Sequence, residues 1–227
     1  MLGKSGIVLV AFASLALAAG HGQAQQAASQ NSAAKSAAVK SAASDYRETD
    51  MGVGVYRSLT SSTTAKGVVQ TPVNSIGGMV ELRHLVKPLV GYEFTFSFNP
   101  ADEGFAPTAT NCGYSCNTPP QKLNSKASLI GLDWVFSERF GRLRPFAVAG
   151  LGLNINIPGN SVYGVNNAAR PTYIFGGGLD FAMSSRLGVR LQYRRNIFTS
   201  PDLSTMFPGQ GVYTHMDQPM GGLFYTF

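Results

Sequence analysis

The last eleven residues of the chain, Asp217–Phe227, read D-Q-P-M-G-G-L-F-Y-T-F. Side chains alternate between the two faces of an extended strand, so Leu223, Tyr225 and Phe227 would share one face. Chain termini normally fray into water, and a soluble protein therefore gains little by ending on an aromatic strand. The stretch predicts a strand that lies against apolar surroundings up to its last residue.

The composition favours many strands and tight turns over helices. Charged residues make up 13% of the 227 residues and aromatic residues 11%, and there are 26 glycines. The formal net charge is +6, but the basic residues are scattered, with neither a Lys/Arg run nor interleaved aromatic residues. No nucleic-acid partner is expected from such a pattern.

Residues 1–24 have the features of a signal peptide. Lys4 supplies the positive start, residues 6–19 form the apolar core, and the run Gly22-Gln23-Ala24 has small residues at the two positions that a cleavage site needs. The apolar core is shorter than the ~20 residues that a membrane-spanning helix needs. Residues 25–48 are rich in Ala, Ser and Gln and cannot bury a core, which predicts a disordered periplasmic linker.

Residues 49–227 form the third predicted segment, a barrel of eight strands. The predicted strands are 50–57, 76–85, 89–98, 127–136, 143–156, 173–183, 186–198 and 217–227. Most are near the ten residues of a tilted membrane strand. The links after the first, third, fifth and seventh strands are long, and the others are short turns. This alternation is typical of outer-membrane barrels with long external loops, and it leaves both ends of the barrel segment on the periplasmic side.

The predicted strands alternate apolar and polar residues, most clearly at 89–98. There Phe94 and Phe96 share one face, whereas Glu93 and Thr95 share the other. Alternation alone also fits a soluble barrel or sandwich with its apolar face inside. The polar faces hold mainly glycine, threonine, serine and isolated charges, which favours the narrow interior of an eight-stranded barrel over a solvent-exposed sheet. The predicted fold class is all-β, an eight-stranded antiparallel up-and-down transmembrane β-barrel. The register of 143–156 stays open, and a bulge is possible there.

The same parity predicts a network of charged side chains inside the barrel. Its predicted members are Glu81, Arg83, Glu93, Asp133, Asp180, Arg190 and Arg194. Buried charges must pair or suffer a large desolvation cost, so a structural plug of salt bridges is expected, with a gate for small ions as the alternative. Arg195 breaks the parity and is expected at the outer interface, where it can meet anionic headgroups.

Glycine-rich runs accompany this pattern, G-L-G-L-N at 150–154 and F-G-G-G-L-D-F at 175–181, and the chain ends in Y-T-F. From Asp50 to Phe227 it resembles the eight-stranded barrel family of the outer membrane protein A transmembrane domain and the opacity-type surface proteins. The resemblance implies a bacterial outer-membrane location, surrounding outer-membrane lipids, and recognition of Leu223, Tyr225 and Phe227 by the barrel assembly machinery. Because nothing follows Phe227, no peptidoglycan-binding domain is expected.

Cys112 and Cys116, in C-G-Y-S-C, fall in the second long loop. In an exported chain they are expected to form a disulfide that cross-links this loop. A metal site would need more ligands than two thiols, and thioredoxin-like chemistry uses the spacing C-x-x-C. No metal or cofactor is expected.

Catalytic motifs have little support in the sequence. Neither His84-Leu85-Val86 nor His215-Met216-Asp217 has the His-x-Ser arrangement of lipid A deacylase barrels. A set of His215, Ser204 and Asp202 could be assembled only in space. We therefore expect a non-enzymatic structural or surface-contact role through the external loops, whose ligand the sequence does not identify. A narrow pore and a lipid A-modifying enzyme are the alternatives.

Overall fold

The structure is a computed structural model that describes residues 48–108, 119–159, 164–205, 207 and 210–227. These residues form strands and connecting segments only. Eight strands close the barrel: β1 (Glu48–Thr60), β4 (Ser75–Lys87), β5 (Val90–Pro100), β8 (Ser125–Ser137), β9 (Leu143–Pro158), β10 (Ala168–Ala182), β11 (Leu187–Thr199) and β12 (Tyr213–Thr226). Four shorter strands are β2 (Thr63–Ala65), β3 (Val68–Pro72), β6 (Glu103–Pro107) and β7 (Gln121–Leu123). The described part of the chain has no helix long and apolar enough to cross a membrane.

The barrel is closed and antiparallel throughout. Its strand order is β1-β12-β11-β10-β9-β8-β5-β4, and β4 pairs back onto β1. The predicted eight-stranded barrel is therefore confirmed. We call the end with the short connections the turn end and the other the loop end. Every barrel strand extends further towards the loop end than predicted.

The outer wall of the barrel is apolar and the inner wall is polar. On β5, Phe94, Phe96 and Phe98 point outward and are each more than 40% exposed, whereas Glu93 and Thr95 are completely buried. Exposed apolar area as extensive as this marks a surface that meets something other than water. The arrangement is that of a barrel whose wall meets lipid.

Strand β9 has a continuous register with both neighbours, β8 and β10. The possible bulge in the predicted strand 143–156 is therefore wrong, and a register shift lies instead between Leu85 and Lys87 on β4. Phe146 and Val148 point inward on β9 and pack with Leu85 and Val135. Since these apolar side chains share the inner face with asparagines, the pattern of β9 alone could not fix its orientation.

The first two long links, which the sequence predicted as external loops, contain strands. Strands β2 and β3 lie in the first link and β6 and β7 in the second, and the four form a second antiparallel sheet. We call this sheet together with residues 200–205 and 207 the cap. Its apolar core draws on the sheet, on the loop end of β10 and on the last link: Val68, Phe105, Leu123, Ala168, Leu203 and Phe207. The rings of Phe105 and Phe207 stack with centroids 5.8 Å apart, which holds the last link against the sheet.

Two glycines of the barrel wall give a matched pair of substitutions. A Cβ at Gly150 would collide with the Leu132 carbonyl oxygen and the Asp133 carboxylate, whereas a Cβ at Gly78 would meet no heavy atom within 4 Å. We expect Gly150→Val to lower the free energy of unfolding by about 1–3 kcal/mol, as overpacking does, and Gly78→Val to have a much smaller effect. Urea unfolding in lipid vesicles measures both. Equal losses in the two variants would contradict the described packing of β9 on β8.

Candidate functional site: the charged lumen and the cap

The structure places all seven side chains of the predicted network inside the barrel. They lie on β4, β5, β8, β10 and β11, and none is more than 2% exposed: Glu81, Arg83, Glu93, Asp133, Asp180, Arg190 and Arg194. The shared inward parity of these strands brings side chains that are far apart in sequence into one layer.

Arg190 makes the widest set of contacts in this layer. From β11, its Nε lies 2.7 Å from Asp180 Oδ1, its Nη1 lies 2.9 Å from Glu81 Oε2, and its Nη2 lies 2.9 Å from Asp50 Oδ1. The three carboxylates belong to β10, β4 and β1, so a single guanidinium joins four strands.

Two further arginines bridge strands that are not neighbours. Arg83 on β4 pairs with Glu93 at 2.6 Å and with Asp180 at 3.1 Å, and β10 lies on the opposite side of the barrel from β4. Arg194 on β11 pairs with Asp133 on β8 and donates to Thr95 Oγ1 at 2.7 Å. Ion pairs therefore cross the lumen rather than following its wall.

Two further buried members of the network, Asp50 and Arg144, were not predicted from the sequence. Arg144 Nη2 lies 2.8 Å from Asp50 Oδ2 and 2.9 Å from Asp180 Oδ2, and its Nη1 lies 2.7 Å from Glu48 Oε1. Asp50 could have been found from its parity, since it alternates with the outward Met51. Arg144 lies on β9, where the mixed inner face concealed the register.

Aromatic rings fill the space beside these arginines. The Arg83 guanidinium lies 4.0 Å from the ring centroid of Phe146, and that of Arg190 lies 5.2 Å from the centroid of Phe224. Such contacts stabilise a cation that has left water. The lumen at this level is thus occupied by paired charges and rings.

Arg195 points outward, as predicted, but it has a partner. Its Nε lies 2.7 Å from Asp217 Oδ1 and its Nη2 lies 2.9 Å from Asp217 Oδ2. Asp217 sits directly opposite on β12. The pair offsets the charge of Arg195 within the outer wall.

Two histidines, His84 and His215, each contact a hydroxyl group of a neighbouring segment. His84 Nδ1 lies 2.8 Å from Thr49 Oγ1, and His215 Nε2 lies 3.0 Å from Ser61 Oγ. Ser204 donates to Gln121 Oε1 at 2.7 Å. Within the described ranges, no group of three or more His, Cys, Asp or Glu side chains could hold a metal ion.

Leu223, Tyr225 and Phe227 all point outward at the turn end, each 40% or more exposed. The Phe227 amide donates to the Thr49 carbonyl oxygen at 3.0 Å, which ties the last residue to β1. Cys112 and Cys116 lie outside the described residues, so their disulfide stays a prediction.

The cap contains a buried carboxyl group, that of Glu103, which was not predicted as a site residue. Glu103 on β6 is 4% exposed and accepts a hydrogen bond from Gln70 Nε2 on β3. Burial raises the pKa of Glu103 from 4.5 to about 7, although the Gln70 hydrogen bond opposes the shift. Gln70 also donates to the Pro201 carbonyl oxygen at 3.2 Å and accepts from Ser200 Oγ.

Comparison with known proteins shows the fold of the chain. No protein-family model matches the sequence, and no curated protein matches it significantly. Among solved structures, Neisserial surface protein A is similar with a TM-score of 0.52 at 11% identity, covering 81% of this chain and 100% of its own. The outer membrane protein OprG of Pseudomonas aeruginosa is similar with a TM-score of 0.50 at 11% identity, covering 79% of this chain and 95% of its own. These likenesses show the fold of the chain, a closed eight-stranded antiparallel barrel, and its apolar outer wall is that of a barrel that lies in a lipid bilayer.

The network predicts a large difference between two arginine substitutions. Arg190→Ala would leave Asp50, Glu81 and Asp180 without one of their shared partners, so we expect a loss of about 3–5 kcal/mol in the free energy of unfolding. Arg139→Ala removes a half-exposed partner of Glu48, and we expect a loss of less than about 1 kcal/mol. Urea unfolding of the reconstituted variants, followed by heat-modifiable gel migration, measures both. If the free energy of unfolding of the Arg190→Ala variant equals that of the wild type, the contacts of Arg190 do not stabilise the barrel.

Proposed function

We propose that the protein is a closed, non-enzymatic outer-membrane barrel that presents a folded cap to contacts outside the cell. The observation that carries this proposal is the set of ion pairs that cross the lumen. Arg83, Arg190 and Arg194 each join strands that are not adjacent in the barrel. An eight-stranded barrel has just enough interior for side chains, so the network leaves no wide aqueous path.

The cap supports the second half of the proposal. Its sheet turns one face, including Gln70, Phe105 and Gln121, towards the buried core and leaves Thr71 and Lys122 exposed on the other. A sheet with its own apolar core holds its exposed side chains in a fixed arrangement. Binding residues are often found on connecting segments that a rigid scaffold positions.

Conductance measurements test the closed lumen. Purified protein reconstituted into planar bilayers in concentrated salt is expected to give no current steps, because the ion pairs occupy the lumen. A wide porin reconstituted in the same way is the positive control. Reproducible unitary current steps would contradict the closed barrel and favour the narrow pore.

Mass spectrometry of lipid A from cells with and without the protein tests the second alternative. A change in lipid A mass upon expression would favour a lipid A-modifying enzyme.

Antibody binding to intact cells tests the orientation of the cap. An epitope tag inserted after Lys66, in the β2–β3 turn of the cap, should be detected without opening the cells. The same tag inserted after Gly141, in the β8–β9 turn at the opposite end, should be detected only after the outer membrane is permeabilised. Both sites have positive φ, +50° at Lys66 and +61° at Gly141, so both insertions enter tight turns. The reverse accessibility would show that the cap faces the periplasm.

A further inference from the structure

Glu103 lies in a polar seam between the cap sheet and the last link. Gln70 connects the two sides of this seam, since its amide donates to Glu103 and to the Pro201 carbonyl oxygen and accepts from Ser200. Ser200 Oγ lies 3.4 Å from Thr63 Oγ1 on β2. The position of Glu103 therefore affects how β3 and β6 pack against residues 200–201.

Glu103 differs from the buried acids of the lumen in its neighbours. Glu81, Glu93, Asp133 and Asp180 each face at least one arginine, whereas the salt bridges among the described residues include none to Glu103. Burial and the Gln70 amide are what shift its pKa. An ionised Glu103 would thus be a buried carboxylate without a cation, which is costly.

The surrounding elements carry few charged groups near this seam. Asp102 precedes Glu103 and accepts a hydrogen bond from the Ser125 amide at 3.3 Å. Lys122 is exposed on the opposite face of β7. The other ionisable groups of the packed elements lie at the β2–β3 turn, in the last link and at the loop end of β10: Lys66, Asp202 and Arg170.

We propose that the cap closes and opens with the protonation of Glu103. Neutral Glu103 holds the cap sheet against the described part of the last link, residues 200–205 and 207, and ionised Glu103 releases the sheet. The inference rests on the proposed function, because it makes the surface that the cap presents outside the cell depend on pH. Release would expose the core side chains of the cap, among them Phe105 and Phe207.

The direction of the pH dependence follows from the raised pKa of Glu103 in the closed cap. In an open cap the carboxyl meets water and titrates near 4.5, whereas in the closed cap it titrates at about 7. The closed cap is therefore favoured fully below pH 4.5, loses its advantage as the pH rises from 4.5 to 7, and changes little above that. A shift between these two values changes the ratio of closed to open cap on the order of 100-fold.

Hydrogen–deuterium exchange of the folded protein in phospholipid nanodiscs, between pH 4.5 and 9, tests the closure. After correction for the intrinsic pH dependence of exchange, amides of β3, β6 and residues 203–205 should exchange up to ~100-fold faster at pH 8 than at pH 4.5. Amides of the barrel strands should not change. Glu103→Gln keeps an oxygen for Gln70 but cannot ionise, so its cap should stay protected at every pH. Asp102→Asn is the matched control and should behave like the wild type.

A wild-type cap with flat exchange, or a Glu103→Gln cap that still opens with rising pH, would overturn the closure. If Glu103→Gln does not fold, NMR titration of the wild-type glutamate carboxyl carbons decides, because the proposal requires one midpoint near 7. If every midpoint lies near 4.5, the proposal is wrong. Current steps in planar bilayers, or a Lys66 tag that is reached only after permeabilisation, would overturn the proposed function. The exchange experiment would still test the pH dependence of the cap independently.

Discussion

The fold depends on how the chain handles charge inside a bilayer. A charged side chain on the lipid face of a membrane strand costs about 2–4 kcal/mol at the midplane, so the charges of these strands must turn inward. Once inside a narrow barrel they are cut off from bulk water and must find partners. Arg190 meets this requirement by contacting three carboxylates from three other strands.

This constraint also determines what the barrel can do. The paired side chains come from strands on different sides of the barrel, so the ion pairs extend across the lumen and occupy it. Asp180 is contacted by Arg83, Arg144 and Arg190, so removing Asp180 would leave all three arginines short of a partner. The proposed function accordingly assigns contacts to a surface outside the lumen, the cap at the loop end. The buried acid of the cap, Glu103, differs from the acids of the lumen, because its hydrogen-bond partner is the neutral amide of Gln70 and not a guanidinium.

The barrel could be predicted from the sequence because each wall strand carries a local signal. Alternation on β5 separates Phe94 and Phe96 from Glu93, and the same parity locates Arg190 and Arg194 on β11. Arg144 was missed because Phe146 and Val148 point inward beside it, so apolar residues do not mark the outer face of β9 at the turn end. The cap was missed for a different reason. Its strands are three to five residues long, and its core forms between segments more than thirty residues apart, as in the contact of Gln70 with Glu103. The alternation of residues within one short strand does not indicate which distant segment it pairs with.

Trp134 allows the most direct test of the inside-out wall without any substitution. It is the single tryptophan of the chain, it is 63% exposed on the outer wall, and it follows Asp133, which pairs with Arg194 in the lumen. Its fluorescence in vesicles is expected to be strongly quenched by lipids brominated along their acyl chains and hardly affected by aqueous iodide. Strong quenching by iodide together with no effect of the brominated lipids would contradict the account, because Trp134 would then face water and the apolar wall would not meet the membrane.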